Sequence, residues 1–264
     1  MEIVAIANHK GGVGKTTTTA NLASALGERG HRVLVVDCDP QASLTSMMGF
    51  ELGAEDLQLA HLLRPQHRAA FADVLRPTRA PNVWLLPAEL ELSNLEPELA
   101  ASRIVYHYLL DRVLRRDATE FAYVLLDTPP GMGVLSSMTL IACDWVLAPV
   151  QTHRWAWRAL TLMQSFLPGL RESANKPPAP RRILRTLMRR GVTHDREIAA
   201  ALEREYGSAV FRTIITMAAV QADASVGVPG GSTVLWRFPA TPAADQYREL
   251  ATEVLAHAVP ALAR

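Results

Sequence analysis

The sequence has few cysteines and no long apolar run, and both shortages restrict what the protein can be. Its 264 residues include two cysteines, Cys38 and Cys143, which lack the CxxC spacing. This usage favours a reducing cytoplasm and argues against a zinc or iron–sulfur site. No apolar stretch approaches the roughly 20 residues that span a bilayer, and the first residues show no secretory leader pattern. We therefore expect a cytoplasmic protein that does not enter a membrane.

Lysine is also scarce, and its distribution is uneven. Only three of the 27 basic residues are lysines, namely Lys10, Lys15 and Lys176, and the rest are arginines. Two of the three lie in one glycine-rich stretch near the N-terminus. A compact ammonium group on a flexible stem suits a crowded phosphate site, where a planar guanidinium would not fit equivalently.

The composition is that of an ordinary globular protein, but its charge is divided between the two halves. The chain is 49% hydrophobic and 20% charged, with a net charge of +1. Residues 1–150 carry 12 basic and 17 acidic side chains, whereas residues 151–264 carry 15 and 9. A basic C-terminal half suits an anionic polymer or surface as partner, and uneven surface decoration is an equally good explanation.

Apolar strand patterns alternate with helical patterns along the chain. Strands are predicted at 2–7, 32–36, 82–86, 121–126, 145–148 (ended by Pro149), 183–187 and 210–215, and helices at 15–29, 101–116 and 244–257. Continuous apolar strands separated by helices indicate a parallel sheet covered on both faces. The sequence thus predicts an α/β fold of three layers, a mostly parallel twisted sheet between helices, as a single domain over residues 1–264.

A glycine-rich loop follows the first predicted strand, in the stretch HKGGVGKTTT at residues 9–18. The general phosphate-loop pattern G-x-x-x-x-G-K-[ST] fits at Gly14, Lys15 and Thr16 but fails at its first position, which is His9. Loop N–H groups and the following helix N-terminus can still converge on phosphate oxygens. Lys15 would neutralise the β- and γ-phosphates, Thr16 would ligate Mg²⁺, and Thr17 would lie near the α-phosphate.

Three acidic residues follow two of the predicted strands. Asp127 ends the apolar run at 123–126, and Asp37 and Asp39 follow the strand after the glycine-rich loop. Ligands of open α/β sheets bind at the carboxyl ends of the strands, where a carboxylate can hold the hydration shell of Mg²⁺. The alternative is that each aspartate forms a helix cap or a turn, as aspartate before proline often does.

These motifs together resemble one known family. KGGVGKT at 10–16 resembles the deviant Walker A motif of the ParA/MinD class of P-loop ATPases. DCDPQA at 37–42 resembles the switch I element of its ParA/Soj branch, DTPP at 127–130 its Walker B and switch II element, and APVQ at 148–151 the strand that follows. Weaker similarity continues at 61–63, 85–87 and the last helix, so the resemblance spans nearly the whole chain and implies a P-loop NTPase fold.

The resemblance implies ATP and Mg²⁺ as cofactors and assigns roles in hydrolysis. Lys10 would be the signature lysine that reaches across a homodimer to the partner's nucleotide, while Lys15 would act on the nucleotide bound to its own subunit. Asp39 would position the attacking water, Asp127 would support Mg²⁺ through water, Thr16 would ligate it directly, and Asp37 would support the phosphate-loop side of the site. The implied catalytic residues are Lys10, Lys15 and Asp39. The implied nucleotide-binding residues are Lys10, Gly11, Gly12, Val13, Gly14, Lys15, Thr16, Thr17, Asp37 and Asp127. The implied magnesium residues are Thr16, Asp39 and Asp127.

Residues 176–190 contain six cations and no acid. Soj-type relatives bind DNA non-specifically through C-terminal arginines once ATP has dimerised them, and a solvated basic face is the equal alternative. The candidate DNA contacts are Arg181, Arg182, Arg185, Arg189 and Arg190. In RWAWR at 154–158, Trp155 and Trp157 could stack on bases or on a partner, but burial in the core or in a dimer face is favoured.

Three segments depart from the family pattern. THRWAWR at 152–158 stands where the branch commonly has an acidic residue, TLMRR at 186–190 replaces T-M-x-D-x-R, and ITM at 215–217 replaces I-P-R. The later two segments lie near the base and the dimer face in relatives. The departures therefore concern base contacts and dimer geometry, not the phosphate chemistry.

The resemblance implies a partition ATPase with weak basal hydrolysis. Its ATP-bound homodimer would bind non-specific DNA on the nucleoid, and a ParB-like centromere-binding partner would stimulate hydrolysis. The first alternative is a ParA-like ATPase that positions a protein cluster or microcompartment. MinD-like membrane recruitment needs a basic amphipathic C-terminal helix. Residues 254–264 contain one arginine and are interrupted by Pro260, so this alternative is disfavoured.

Two other classes are disfavoured. A reductase like the nitrogenase iron protein needs cluster-ligating cysteines that Cys38 and Cys143 do not match, and a non-catalytic module would not need both Asp39 and Asp127. Because the first strand begins at residue 2, sequence-specific operator binding by this chain alone is not expected.

Overall fold

A computed structural model describes residues 1–64, 69–101, 106–152, 156–220 and 231–257 of the protein. Within them, an eight-stranded sheet has the order β3-β4-β2-β5-β1-β6-β7-β8. The strands are β1 (Glu2–Ile6), β2 (Val33–Asp37), β3 (Arg76–Pro77), β4 (Val83–Leu86), β5 (Tyr123–Asp127), β6 (Trp145–Gln151), β7 (Arg181–Met188) and β8 (Val210–Thr216). All neighbouring strands are parallel except the short edge strand β3, which is antiparallel to β4.

Helices fill most of the connections between the strands. They are α1 (Lys15–Glu28), α2 (Ser43–Met47), α3 (Leu59–Leu63), α4 (Phe71–Val74), α5 (Leu92–Ala101), α6 (Leu109–Asp117), α7 (Val134–Ala142), α8 (Ala156–Ser173), α9 (Thr193–Tyr206), α10 (Val234–Arg237) and α11 (Pro242–Ala256). Short 3₁₀ turns occupy Tyr106–Tyr108 and Gly207–Ala209. In the part of the chain that is described, none of the helices has the length and apolarity to cross a membrane.

The helices cover both faces of the sheet, which confirms the predicted three-layer fold. Because successive side chains of a strand point to opposite faces, Ile3 and Ala5 of β1 pack into one cluster with α6, α7, α8 and α9. Val4 and Ile6 pack into the other cluster with α1, α2 and α11. All four side chains are fully buried. Both faces of the central strand are therefore apolar, as a covered parallel sheet requires.

Pro149 does not end β6, contrary to the prediction from the sequence. The strand runs on to Gln151, and Pro149 pairs with Leu184 of β7. Its carbonyl oxygen accepts a hydrogen bond from Nδ2 of Asn8, on the side where β1 has already ended at Ile6. The missing N–H of the proline faces that same side, past the last β1–β6 pair at Ile6 and Leu147, so the paired segment loses no bond.

The helix predicted at 101–116 is also wrong in its extent. Ala101 ends α5, which the pattern missed, and α6 begins at Leu109 after a 3₁₀ turn. Leu95 of α5 and Leu110 of α6 pack into the same apolar cluster. Because both segments send apolar side chains to one core, the sequence pattern does not separate them.

Candidate functional site

Three strand ends meet at one edge of the sheet and define the site. In the strand order β2-β5-β1, Asp37 lies beside Asp127, and Asp127 lies beside Ile6. The glycine-rich loop leaves β1 directly after Ile6 and enters α1 at Lys15. Parallel strands place their carboxyl ends at the same edge. The sheet thus brings the predicted loop and both predicted aspartates together.

The loop carries two backbone turns that only glycine adopts easily. Gly12 has φ +70° and Gly14 has φ +89°, in the left-handed region. Gly14 stands at the N-cap of α1, where no side chain caps the helix and no acid lies in the first turn. The first N–H groups of the helix are therefore left for an anion.

Asn8 holds the start of this loop. Its side-chain amide donates to Pro149 O over 2.6 Å, and its Oδ1 accepts the backbone N–H of Lys10 over 3.0 Å. Asn8 is 4% exposed. The sequence motifs do not include Asn8, although a polar side chain directly after a buried apolar strand is a usable signal.

Lys15 and Asp127 form the charged centre of the site. The Lys15 side chain is buried, and burial lowers its pKa while the carboxylates of Asp127 and Asp39 raise it. Burial and then the charge of Asp37 raise the pKa of Asp127 to about 8, while Thr16 and Lys15 act in the opposite direction. Oδ1 of Asp127 lies 3.3 Å from the Thr19 hydroxyl. Asp127 is therefore a buried acid whose negative charge is not fully compensated by the groups around it.

Asp37 organises the segment after β2 and does not reach the cleft. Its Oδ2 accepts the backbone N–H and the hydroxyl of Thr45, each over 2.8 Å, and its Oδ1 accepts the N–H of Asp39 over 3.2 Å. Burial raises the pKa of Asp37 to about 6, against the effect of the Thr45 hydrogen bonds. The Thr45 hydroxyl also accepts the N–H of Ala88 at the end of β4. Thr45 is a second residue that sequence analysis missed.

Asp39 lines the cleft above the loop. It is half-buried, and its Oδ1 accepts the N–H of Gln41 over 3.0 Å, which fixes one oxygen of the carboxylate. Ala42 follows with φ +53°, at the N-cap of α2. The residue predicted to position water therefore stands on the cleft wall, within a tightly turned segment.

The cleft itself has a volume of about 770 Å³, and its lining includes two chemically different sets of residues. The polar set includes Gly11, Gly12, Gly14, Lys15, Thr16, Thr17, Asp39, Gln41 and Thr186. The mainly apolar set includes Leu187, Ile215, Met217, Ala218 and Tyr247. A cleft of this size that offers both kinds of group suits a nucleoside triphosphate, which combines a charged polyphosphate with a flat ring.

Lys10 differs from the other predicted loop residues. Its side chain is exposed and does not line the cleft, whereas Lys15, five residues later, is buried within it. Val13 is buried as well, and its carbonyl oxygen accepts the hydroxyl of Thr186 of β7 over 2.8 Å. Thr186 is a third residue that the sequence analysis did not assign.

The residues present fit a nucleotide with a divalent cation. Oδ2 of Asp127 is buried without a hydrogen-bond partner, next to the Thr16 and Lys15 side chains. An orphaned buried carboxylate oxygen is costly unless a cation or water satisfies it. Among the described residues, no group of three or more His, Cys, Asp or Glu could hold a metal alone. A cation here would thus take its other ligands from Thr16, water and phosphate.

The predicted DNA-contacting arginines lie in different environments. Arg181 donates to Leu160 O and lies over the Tyr206 ring, and Arg182 donates to Ser208 O. Arg189 and Arg190 are exposed at the end of β7. The guanidinium of Arg189 already donates to Asp195 over 2.8 and 3.2 Å. Arg190 is therefore the more accessible cation of the two.

The prediction that Arg185 contacts DNA is incompatible with its position. Arg185 is 3% exposed, pairs with Glu203, and donates to the carbonyl oxygens of Phe211 and Arg212. Its guanidinium holds β7, β8 and α9 together inside the fold. Arg185 follows the apolar residues Ile183 and Leu184 of β7, and such a pattern is typical of a strand in the interior.

Two sequence-based expectations fall outside what the structure describes. Trp155 lies in 153–155, outside the described residues, and only the helical backbone is described at Trp157. Of the C-terminal segment considered for membrane binding, 258–264 also lie outside them.

Comparison with known proteins agrees with this geometry. Residues 1–177 match the AAA domain family. The chain is 33% identical to the chromosome-partitioning ATPase Soj of Thermus thermophilus, over 96% of this chain and 95% of that protein. The structure of cobyrinic acid a,c-diamide synthase from Mycobacterium smegmatis, with bound ADP and magnesium, aligns with a TM-score of 0.75 at 29% identity, over 97% of this chain and 95% of that one.

A variant of McdA from Cyanothece, in complex with ATP, shares the fold. It aligns with a TM-score of 0.83 over 97% of this chain and 96% of that one, at 23% identity. Together with the deviant Walker A loop and the neighbouring strand ends that carry Asp37 and Asp127, these matches confirm the resemblance inferred from the motifs. The chain belongs to the ParA/Soj branch of the ParA/MinD family of P-loop ATPases.

Proposed function

We propose that this protein is a partition ATPase whose ATP-bound homodimer binds non-specific DNA. The observation that carries the proposal is the different placement of the two loop lysines. Lys15 is buried in the cleft, while Lys10 is exposed beside it and does not line it. A cation held outside its own cleft is free to enter the cleft of a second copy, so that hydrolysis depends on dimerisation.

The residues of one protomer divide the work at the phosphates. The loop N–H groups and Lys15 would hold the phosphate oxygens, and Asp39 would orient a water for in-line attack. Phosphoryl transfer is catalysed mainly by positioning and by stabilising charge, which suits these groups. Mg²⁺ bound at Thr16, with Asp127 supporting it through water, would neutralise phosphate charge. Lys10 of the second copy would add the last positive charge.

We assign nucleotide-dependent DNA binding to the arginines that directly follow the end of β7. Arg189 and Arg190 are exposed there, on a chain segment that directly follows the cleft residue Leu187. Contacts of arginine with backbone phosphates are independent of sequence and weaken steeply with salt. A ParB-like partner that stimulates hydrolysis would release the DNA by returning the dimer to monomers.

The test is retention of a non-specific duplex with ATP, with ADP and without nucleotide, together with the oligomeric state under each condition. We expect dimers and DNA retention with ATP only, and loss of retention in the double variant Arg189→Ala/Arg190→Ala while dimers still form. DNA binding that is absent or equal in all three conditions would contradict the proposal. Stimulation of hydrolysis by a protein cargo factor instead of a centromere-binding protein would favour the positioning alternative.

A further inference from the structure

The last residues of β7 touch the phosphate loop, the cleft and the exposed arginines within a span of five residues. Thr186 donates its hydroxyl to Val13 O over 2.8 Å, and Leu187 lines the cleft. Arg189 and Arg190 follow at the surface.

The hydrogen bond from Thr186 bears on the orientation of one peptide plane of the loop. In a planar trans peptide, the C=O and the following N–H point in opposite directions. Holding Val13 O against β7 therefore turns the N–H of Gly14 away from β7. Gly14 has φ +89° and stands at the N-cap of α1. The Thr186 hydroxyl thus helps to set the direction of an N–H group at the point where a phosphate would bind.

The backbone at this position is irregular. The pairing register of β7 with β8 shifts between Arg185 and Met188. Leu187, within this bulge, has φ +51°, a conformation that residues with a side chain rarely adopt. The bulge is closed by a hydrogen bond from Met217 N to Met188 O over 2.9 Å. A bulge at the end of a strand re-aims the residues that follow it.

Arg189 follows this bulge directly and is anchored to the start of α9. Its backbone N–H donates to Oδ2 of Asp195 over 2.8 Å, and its guanidinium donates to both carboxylate oxygens. Asp195, in the first turn of α9, is 1% exposed. A displacement at the end of β7 would therefore act on Arg189, the adjoining Arg190 and the first turn of α9 together.

We propose that Thr186 is the positioning residue that couples phosphate binding to the placement of Arg189 and Arg190. Its hydroxyl fixes the Val13–Gly14 peptide of the phosphate loop, and the bulge at Thr186 and Leu187 transmits the state of the loop to the arginines. The proposal rests on the proposed nucleotide-dependent DNA binding, and it names the residue through which that dependence acts.

The test compares Thr186→Val, which keeps the shape and removes the hydroxyl, with Thr186→Ser, which keeps the hydroxyl. The matched control is Thr139→Val, since Thr139 is equally buried and its hydroxyl donates to Ser136 O in α7. We expect Thr186→Val to weaken ADP binding about tenfold, as loss of one buried hydrogen bond does. Binding of adenosine, which carries no phosphate, is expected to stay unchanged. Thr186→Ser should restore ADP binding.

The second readout is DNA retention at saturating ATP. Thr186→Val is expected to retain duplex DNA no better with ATP than without it, while Thr186→Ser and Thr139→Val behave as the wild type. Wild-type ADP affinity in Thr186→Val, or wild-type DNA retention by it at saturating ATP, would overturn the coupling. If the wild-type protein itself binds DNA independently of ATP, the proposed function fails, and the comparison of ADP with adenosine still decides whether Thr186 positions the loop.

Discussion

The ammonium nitrogen of Lys15 lies 3.5 Å from the backbone carbonyl oxygen of Lys10, while the side chain of Lys10 stays exposed. The two lysines thus belong to one loop but serve different places. Lys15 is the first residue of α1, and its ammonium group reaches back to the loop that precedes the helix. Lys10 contacts Lys15 through its backbone carbonyl oxygen, and its own charged side chain is exposed to solvent.

The first prediction separates the two lysines. Lys15→Ala should abolish ATP binding, because it removes the buried cation of the cleft. Lys10→Ala should bind ATP with near-wild-type affinity and fail to dimerise on ATP. Fluorescent-nucleotide titration and light scattering after size exclusion measure the two effects. A Lys10→Ala protein that dimerises on ATP would show that this lysine does not act across the interface.

The second prediction concerns hydrolysis. Asp39→Ala should retain ATP binding and ATP-dependent dimers, because Asp39 stands on the cleft wall and not in the phosphate loop. Its turnover should fall by about 10² or more, as loss of a group that orients or activates the nucleophile does. Phosphate release is measured together with the dimer fraction. Turnover at the wild-type rate would remove Asp39 from the catalytic residues.

The third prediction follows from the raised pKa values of two buried acids. Burial raises the pKa of Asp127 to about 8 and that of Asp37 to about 6, against an ordinary value of 3.8. A carboxyl with a raised pKa in the folded state contributes stability that is fully present below pH 3.8 and is lost as pH rises through the folded value. The melting temperature of the nucleotide-free protein should therefore fall between pH 4 and pH 8.

Asp127→Asn tests the assignment of this pH effect. The amide cannot ionise and adds no charge beside Asp37, so the fall in melting temperature toward pH 8 should be shallower in the variant. Thermal melts of both proteins over this pH range measure it. An unchanged slope above pH 6 would show that another group titrates there.

The fourth prediction distinguishes the two exposed arginines. Arg190→Ala should weaken DNA binding more than Arg189→Ala, because the guanidinium of Arg189 is already shared with Asp195. Loss of one phosphate contact should reduce the slope of log K against log salt by about 0.9 per protomer. The control is Arg116→Ala, whose side chain is 74% exposed on α6. A larger effect of Arg189→Ala, or an equal effect of the control, would contradict this assignment.

The fifth prediction concerns the packing of α1 against the sheet. A Cβ atom at Gly27 would lie 2.1 Å from Pro81 O and 2.8 Å from a methyl group of Val83. Gly27→Ala should therefore destabilise the fold by about 1–3 kcal/mol, the usual cost of overpacking. Gly169→Ala is the matched control, since nothing lies within 4 Å of its Cβ position in α8, and it should stabilise the helix by about 0.5–1 kcal/mol. Chemical denaturation measures both, and equal stability of the two variants would contradict the close approach at Gly27.

The sequence by itself determined the phosphate loop, the helix that follows it and the strands whose ends carry the acids. These features depend on neighbouring residues: glycines that permit φ values near +70° and +89°, and apolar runs that end at Asp37 and Asp127. The family resemblance rests on the same local motifs, and the alternation of strands and helices predicted the layers.

Only the tertiary structure decided which distant residues serve the loop and which arginines reach the surface. Thr45 bonds Asp37, and Thr186 reaches Val13 across 173 positions, because strand order and register bring them together. Arg185 and Arg190 lie in one basic run, yet the first is buried between β7, β8 and α9 and the second is exposed. A run of like charges does not specify which members face solvent, since that depends on the packing of elements far apart in the chain.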